Sequence, residues 1–268
     1  MIIDFHTHIF PSAMAQRALA SVSGISGGFM PIGDGTSDGL RKGMATAGID
    51  VSVIAPIATK PSQMHAVNGF AAEFLTADDI VAFGSVHPDA PDALDELKRI
   101  ADLGFRGIKL HPEYQSFYFD NAAYHPLYRE IGRLGLITLI HAGRDIAYPL
   151  PPHVAPGAIM RALPHFNGAP VVAAHMGGFL MNTDAMAAYT NLSSELNLFI
   201  DTSFSYGRYP VPDARVLIDL LGAQHVLFGS DSPWSAPYDE LRFVHSLGLD
   251  AAALTLITGE NARRLLKI

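Results

Sequence analysis

Two histidines, His6 and His8, stand two residues apart in the opening stretch MIIDFHTHIF. On a strand that spacing sends both imidazoles out of one face, a few ångströms apart, as two cis ligands of one ion would be. Two hydrogen-bonded core histidines are the other reading of the same spacing. Further groups able to bind a metal or move a proton close short apolar runs: His87 in SVHP, Lys109 and His111 in GIKLHP, His141 in LIHAG, His175 in AAHMGG and Asp231 in LFGSDSPW. The chain has no cysteine, so any metal must be held by imidazole and carboxylate. Asp231, at the end of a buried run, would cost several kcal/mol if left unpaired, and a cation supplies the compensation.

These residues need elements that bring them together. Eight β-rich runs, MIIDFHTHI, DVSVIAPIA, DIVAFGSVHP, FRGIKLHP, LITLIHAG, PVVAAHMGG, NLFIDTSF and HVLFGSDSP, alternate with helical stretches such as PDALDELKRIADLG, AAYHPLYREIGRLG and PDARVLIDLLGA. Strands apolar on both faces and separated by helices imply a parallel sheet, and eight such units in one chain of this length fit an α/β fold of the (β/α)8 barrel type, a TIM barrel. An open doubly wound sheet is the second choice, weakened because no glycine-rich phosphate loop follows the first strand. No linker divides the chain, so residues 1–268 read as one domain. A barrel gathers strand ends around one axis, which would make the polar residues above a ring.

His87 is the weakest member, more a core residue or a support behind the ligands than a ligand. Asp4 shares the face of His6 and His8 one step deeper, where it would fix a histidine tautomer or bond the barrel floor. The irregular stretch SVSGISGGFMPIGDGTSDG, residues 21–39, would hang over the mouth.

Composition narrows the function classes. With 49% hydrophobic and 16% charged residues the chain can bury a large core. A formal net charge of -8, with no run of Lys and Arg, argues against nucleic acid and anionic membrane as partners. The N-terminus lacks a basic leader, and no apolar run reaches the ~20 residues that span a bilayer. A cytoplasmic, soluble protein with a small-molecule substrate is the expectation.

The motifs DFHTH, GIKLHP, IHAG, AHMGG, FGSDSPW and ITGENARRLL, spread nearly end to end, resemble the amidohydrolase superfamily, in particular its amidohydrolase 2 branch of metal-dependent barrel hydrolases. The resemblance implies that His6, His8, His141 and Asp231 surround a divalent metal, zinc first and manganese or another divalent ion as alternatives, with one ion rather than two. It further implies that His175 binds a second metal or acts as acid, base or electrophile. Binuclear relatives bridge two metals with a carbamylated lysine or a glutamate from the fourth strand. Lys109 occupies that place and is left with three roles: a carbamate bridge, an anchor for a substrate carboxylate, or a partner for a buried acid such as Asp4. His111 becomes a rim residue that supports the metal site or touches substrate.

In the hydrolytic reading, Asp231 orients a metal-activated water and takes its proton, His175 stabilises the oxyanion, and an amide, ester or lactone of a small acidic compound is cleaved. The same branch contains non-oxidative decarboxylases of aromatic or muconate-type acids, in which His175 would protonate a carbon as carbon dioxide leaves. A metal-free binding barrel is the reading from another class, opposed by the completeness of the ligand pattern. Tyr114, Phe117, Arg144, Tyr148, Tyr206, Arg208 and Trp234 lie on loops after strands, and Lys109, His111, Tyr114, Arg144, Arg208 and Trp234 form the candidate substrate contacts. A homodimer is the default assembly.

Overall fold

The computed structural model describes residues 1–190 and 197–268. Nine strand segments run in chain order among them: β1 Ile3–Thr7, β2 Val51–Ile54, β3 Ile80–Ala82, β4 Gly84–Ser85, β5 Gly107–Leu110, β6 Ile137–Ile140, β7 Val171–Ala173, β8 Leu198–Asp201 and β9 Val226–Leu227. Each pairs in parallel with its sequence neighbour, except that β3 and β4 belong to two hydrogen-bonded sheets, β1-β2-β3 and β4 through β9. Those two segments are one run interrupted at Phe83, whose N–H still donates to Ile54 O at 3.0 Å. The opposite seam closes through Phe5 N to Phe228 O at 2.8 Å and a parallel bridge between Thr7 and Ser232. The eight runs therefore form a closed TIM barrel.

The strands are apolar on both faces because both faces are covered. Val51, Val53, Phe83, Leu139, Val172 and Leu227 pack in one interior cluster, while the alternating Ile54, Ile108, Ile140, Ala173 and Ile200 pack in the larger cluster that includes Leu97, Ile100, Ile131 and Leu217. These last four come from the helices α1 Ala93–Leu103, α2 His125–Leu134 and α3 Val211–Leu221, and each contributes about 2 kcal/mol by burial. Asp95 and Glu96 open α1, Pro126 opens α2, and Gly104 and Gly135 end those two helices in the left-handed conformation. No helix among the described residues is long and apolar enough to cross a membrane.

Two expectations change. The register of β1 shifts between Asp4 and Thr7, so strict alternation fails there. Phe5 joins the interior cluster, His6 also faces the barrel axis, and Asp4 pairs with Ser52 of β2 instead of lying beneath His6. Asp4 Oδ1 accepts the backbone N–H groups of His6 at 3.2 Å and Ser230 at 2.9 Å, tying the first strand to the last, and burial raises its pKa to about 7. It neither sets a histidine tautomer nor pairs with Lys109. The stretch expected to be irregular over residues 21–39 is helical through Ile25 and again from Ser37. Only residues 26–36 are irregular, held by Pro233 O, which accepts the N–H groups of Ile32 at 2.7 Å and Gly33 at 3.1 Å.

Candidate metal and substrate site

The strand ends converge on one pocket of about 960 Å³, its open mouth included, lined by His6, His8, Lys109, His111, His141, His175 and Asp231. Every one of these seven side chains is buried. His87 is not among the lining residues, and its Nδ1 accepts the N–H of Asp89 at 3.3 Å. Val22, Ser26 and Phe29 cover the mouth from the segment after β1.

Hydrogen-bond partners decide which ring nitrogens carry protons. His8 Nδ1 donates to Ala55 O at 2.7 Å and His6 Nδ1 donates to Asp201 Oδ2 at 2.9 Å. Both Nε2 atoms are thereby left as lone-pair donors to a cation, and they face each other at 3.2 Å. Asp231 Oδ1 stands 3.1 Å from His8 Nε2 and 3.6 Å from His6 Nε2. A second pair repeats the pattern: His141 Nε2 donates to Arg144 O at 3.2 Å, so His141 Nδ1 faces His175 Nε2 at 3.1 Å with no proton between them. His175 Nδ1 is occupied by Ser203 Oγ at 2.9 Å.

Opposed lone pairs in a buried site repel unless a cation lies among them. Two metal–nitrogen bonds of about 2.0–2.1 Å at a tetrahedral angle subtend about 3.3 Å, close to the spacing of the His6 and His8 nitrogens. The donor set therefore fits a divalent metal. Burial and the neighbouring Lys109 hold His6 far below the usual imidazole range, burial and His141 do the same to His175, and burial and Lys109 push His141 down to about 3, so all three stay in the neutral, ligating form. Burial raises Asp231 above the usual carboxylate range. Lys109 Nζ lies 2.9 Å from His6 Nε2; burial lowers its pKa to about 8 against the pull of Asp231 and Asp201.

Three contributors escaped the sequence reading. Asp201 uses Oδ2 on His6 and Oδ1 on the backbone N–H groups of His175 at 2.9 Å and Ser203 at 3.0 Å, while Ser203 Oγ also donates to Oδ1. Asp201 closes β8, so the strand-end rule that found the histidines would have found it too. Asp145, four residues after His141, sits in the pocket wall with its pKa raised to about 6 by burial; nothing in its loop sequence distinguishes it.

One wall of the pocket is made of rings. His111 stacks on Tyr114 at 3.9 Å between centroids and 11° between planes, and on His141 at 4.2 Å and 15°. Phe179, Phe204 and Trp234 continue the lining, and Arg144 reaches it from the rim. Arg208 does not line the pocket: its guanidinium lies 3.9 Å from the centre of the Phe204 ring and donates to Tyr206 O. Phe117 is a core residue, and Tyr148 and Tyr206 are outside the lining. His175 and Asp231 both occupy the left-handed region, at φ 57° and 64°, a conformation uncommon outside glycine but better tolerated by Asp and His than by most residues, and here held by the bonds of His175 N to Asp201 and of Asp231 N to His6 O.

A family model described as amidohydrolase matches residues 3–268. The chain is 27% identical over 292 aligned positions to a 6-methylsalicylic acid decarboxylase of Penicillium expansum, with 91% of this chain and 89% of that one covered. Among solved structures, a 5-carboxyvanillate decarboxylase from Sphingomonas paucimobilis superposes with a TM-score of 0.72 at 18% identity, covering 100% of this chain and 99% of the other. A Pseudomonas putida protein assigned to 2-pyrone-4,6-dicarboxylic acid hydrolysis gives 0.70 at 18% identity, with 99% and 97% covered. At these identities the two structures establish the fold alone.

Proposed function

Because the chain belongs to the amidohydrolase family, whose members are enzymes, we propose that it removes carbon dioxide from a small aromatic carboxylic acid with the help of a divalent metal. The observation that carries this reading is the ladder of flat rings, Tyr114, His111 and His141, beside a buried cluster of ligating nitrogens and the Lys109 ammonium. A planar anion can lie against such a wall with its acidic group toward the cations. The relative named for 6-methylsalicylic acid decarboxylation supports the same choice over hydrolysis.

His6, His8, His141 and Asp231 would hold the metal, zinc or manganese, with His175 beside it; when bound, the metal supplies Lewis acidity toward the substrate's oxygen atoms. Lys109 supplies positive charge for the substrate carboxylate at the pocket floor. Asp231 is taken as the proton donor of the two candidate acids, because its carboxyl lines the pocket beside the His6 and His8 nitrogens whereas His175 keeps a free lone pair directed at His141. In the step proposed, Asp231 delivers its proton to the ring carbon that bears the carboxylate. The carbon–carboxylate bond then breaks, its electron pair returns to the ring, carbon dioxide leaves, and Asp231 recovers a proton from solvent. The aromatic wall keeps water from the reacting carbon.

The test is a product analysis on metal-loaded protein offered salicylates alongside esters and lactones. Carbon dioxide with the matching phenol is the expected outcome. Cleavage of an ester or lactone without gas release would install hydrolysis in its place.

A further inference from the structure

Asp145 turns its side chain into the pocket wall with only 8% of it exposed. Oδ1 accepts the N–H of Ala147 at 2.7 Å, closing a turn on its own backbone. Oδ2 has no donor at hydrogen-bond distance among the described residues; the ring nitrogens nearest to it, His111 Nε2 and His141 Nε2, are 3.6 Å and 4.0 Å away. A carboxylate oxygen that faces a pocket without a partner, while its twin is satisfied, is an acceptor open to a donor.

The grouping of His111, His141 and Asp145, with one atom from each lying within 4.8 Å of the others, invites a second metal ion. Proton placement argues against it. His141 Nε2 carries the hydrogen that binds Arg144 O, so that nitrogen cannot ligate, and two remaining groups are too few for a protein-held divalent ion. What fits Oδ2 is a neutral O–H donor on a ring that lies against the neighbouring ladder.

We propose that Asp145 Oδ2 receives a ring hydroxyl beyond the one a salicylate already carries, making Asp145 the residue that selects the substituent at that ring position. This rests on the aromatic-acid reading above and adds the position of selection. A second carboxylate presented there would meet like charge and be rejected. A hydroxyl lost or capped takes away that donor, and a hydrogen bond to a charged group is worth about tenfold to a hundredfold in affinity.

The chain's single tryptophan, Trp234, lines this pocket and reports binding by its fluorescence, independent of turnover. Metal-loaded wild type is titrated with salicylates bearing a second hydroxyl at each ring position in turn, each against its methyl ether and its carboxylate analogue. One hydroxyl position should bind about tenfold to a hundredfold tighter than its methyl ether, with the carboxylate analogue weakest. D145N keeps the acceptor for Ala147 and puts an N–H donor where Oδ2 stood, so the same pair should lose or invert its preference while metal content stays equal to wild type. Aromatic acids that bind without hydroxyl preference would overturn the Asp145 subsite alone, as would an unchanged preference in D145N. Loss of a metal equivalent in D145N would make Asp145 a ligand and also overturn it. Failure of every aromatic acid to bind would remove the decarboxylase reading as well. The wild-type comparison stands without the variant, so a misfolded D145N does not shield the proposal.

Discussion

Asp201 holds His6 and His175 with a single carboxylate, Oδ2 standing 2.9 Å from His6 Nδ1 and Oδ1 accepting the His175 N–H at 2.9 Å. One side chain on β8 therefore orients a ring nitrogen contributed by β1 and fixes the backbone of the loop after β7. Asp201→Asn replaces an acceptor of the His6 Nδ1 proton by a donor or a weaker acceptor, and loss of such a support costs about 10- to 100-fold in metal affinity. Competition with a chelator of known affinity measures it. Wild-type affinity in the variant would show that His6 does not depend on this bond.

Asp231 is assigned both ligation and proton delivery. Asp231→Asn preserves size and tolerates the left-handed backbone at φ 64°. Turnover should fall by at least about a hundredfold, the scale of a lost acid, while the circular dichroism spectrum and Tm remain near wild type. Retained turnover in a metal-loaded variant would refute the assignment.

Gly143 lets the loops that follow β6 and β7 touch. Its φ is 85°, and a Cβ there would approach the backbone N of Phe179 to 2.3 Å. Gly143→Ala should destabilise the protein by about 2 kcal/mol or more, seen in a denaturant midpoint, and should lower activity because His141 and His175 adjoin the displaced loops. An unaltered midpoint would mean that the contact is not tight.

Glu240, on the helix Pro237–Ser246, accepts the N–H groups of Ser205 at 2.9 Å and Tyr206 at 3.0 Å and the hydroxyl of Ser235. Burial raises its pKa from 4.5 to about 7. Native protein therefore binds this proton more tightly than unfolded chain does. The stability it contributes is fully present below pH 4.5 and is lost as pH rises to about 7. Against Glu240→Gln, which keeps an acceptor for the two backbone N–H groups but does not titrate, wild type should lose up to roughly 3 kcal/mol across that window. Parallel stability curves for the two proteins would contradict the raised pKa.

The ring of strand ends is legible in the sequence. His6, His8, Lys109, His111, His141, His175 and Asp231 were visible because polar groups closing apolar strands carry a cost that folding alone does not explain. The barrel followed from strands apolar on both faces. Asp4 was misplaced because period-two alternation cannot foresee the register shift in β1. Charge alone groups Arg208 with the substrate contacts, whereas its guanidinium packs on Phe204, a choice set by tertiary neighbours. Asp145 is not legible in the sequence, since loops lack a period that would mark a side chain as inward.

Reaction in deuterium oxide measures the central claim most directly. Metal-loaded protein with a salicylate should release one carbon dioxide per phenol formed, and the phenol should carry a single deuterium at the carbon that bore the carboxylate. A product that keeps its carboxylate, formed by cleavage of an ester, lactone or amide bond with no carbon dioxide, would contradict the account.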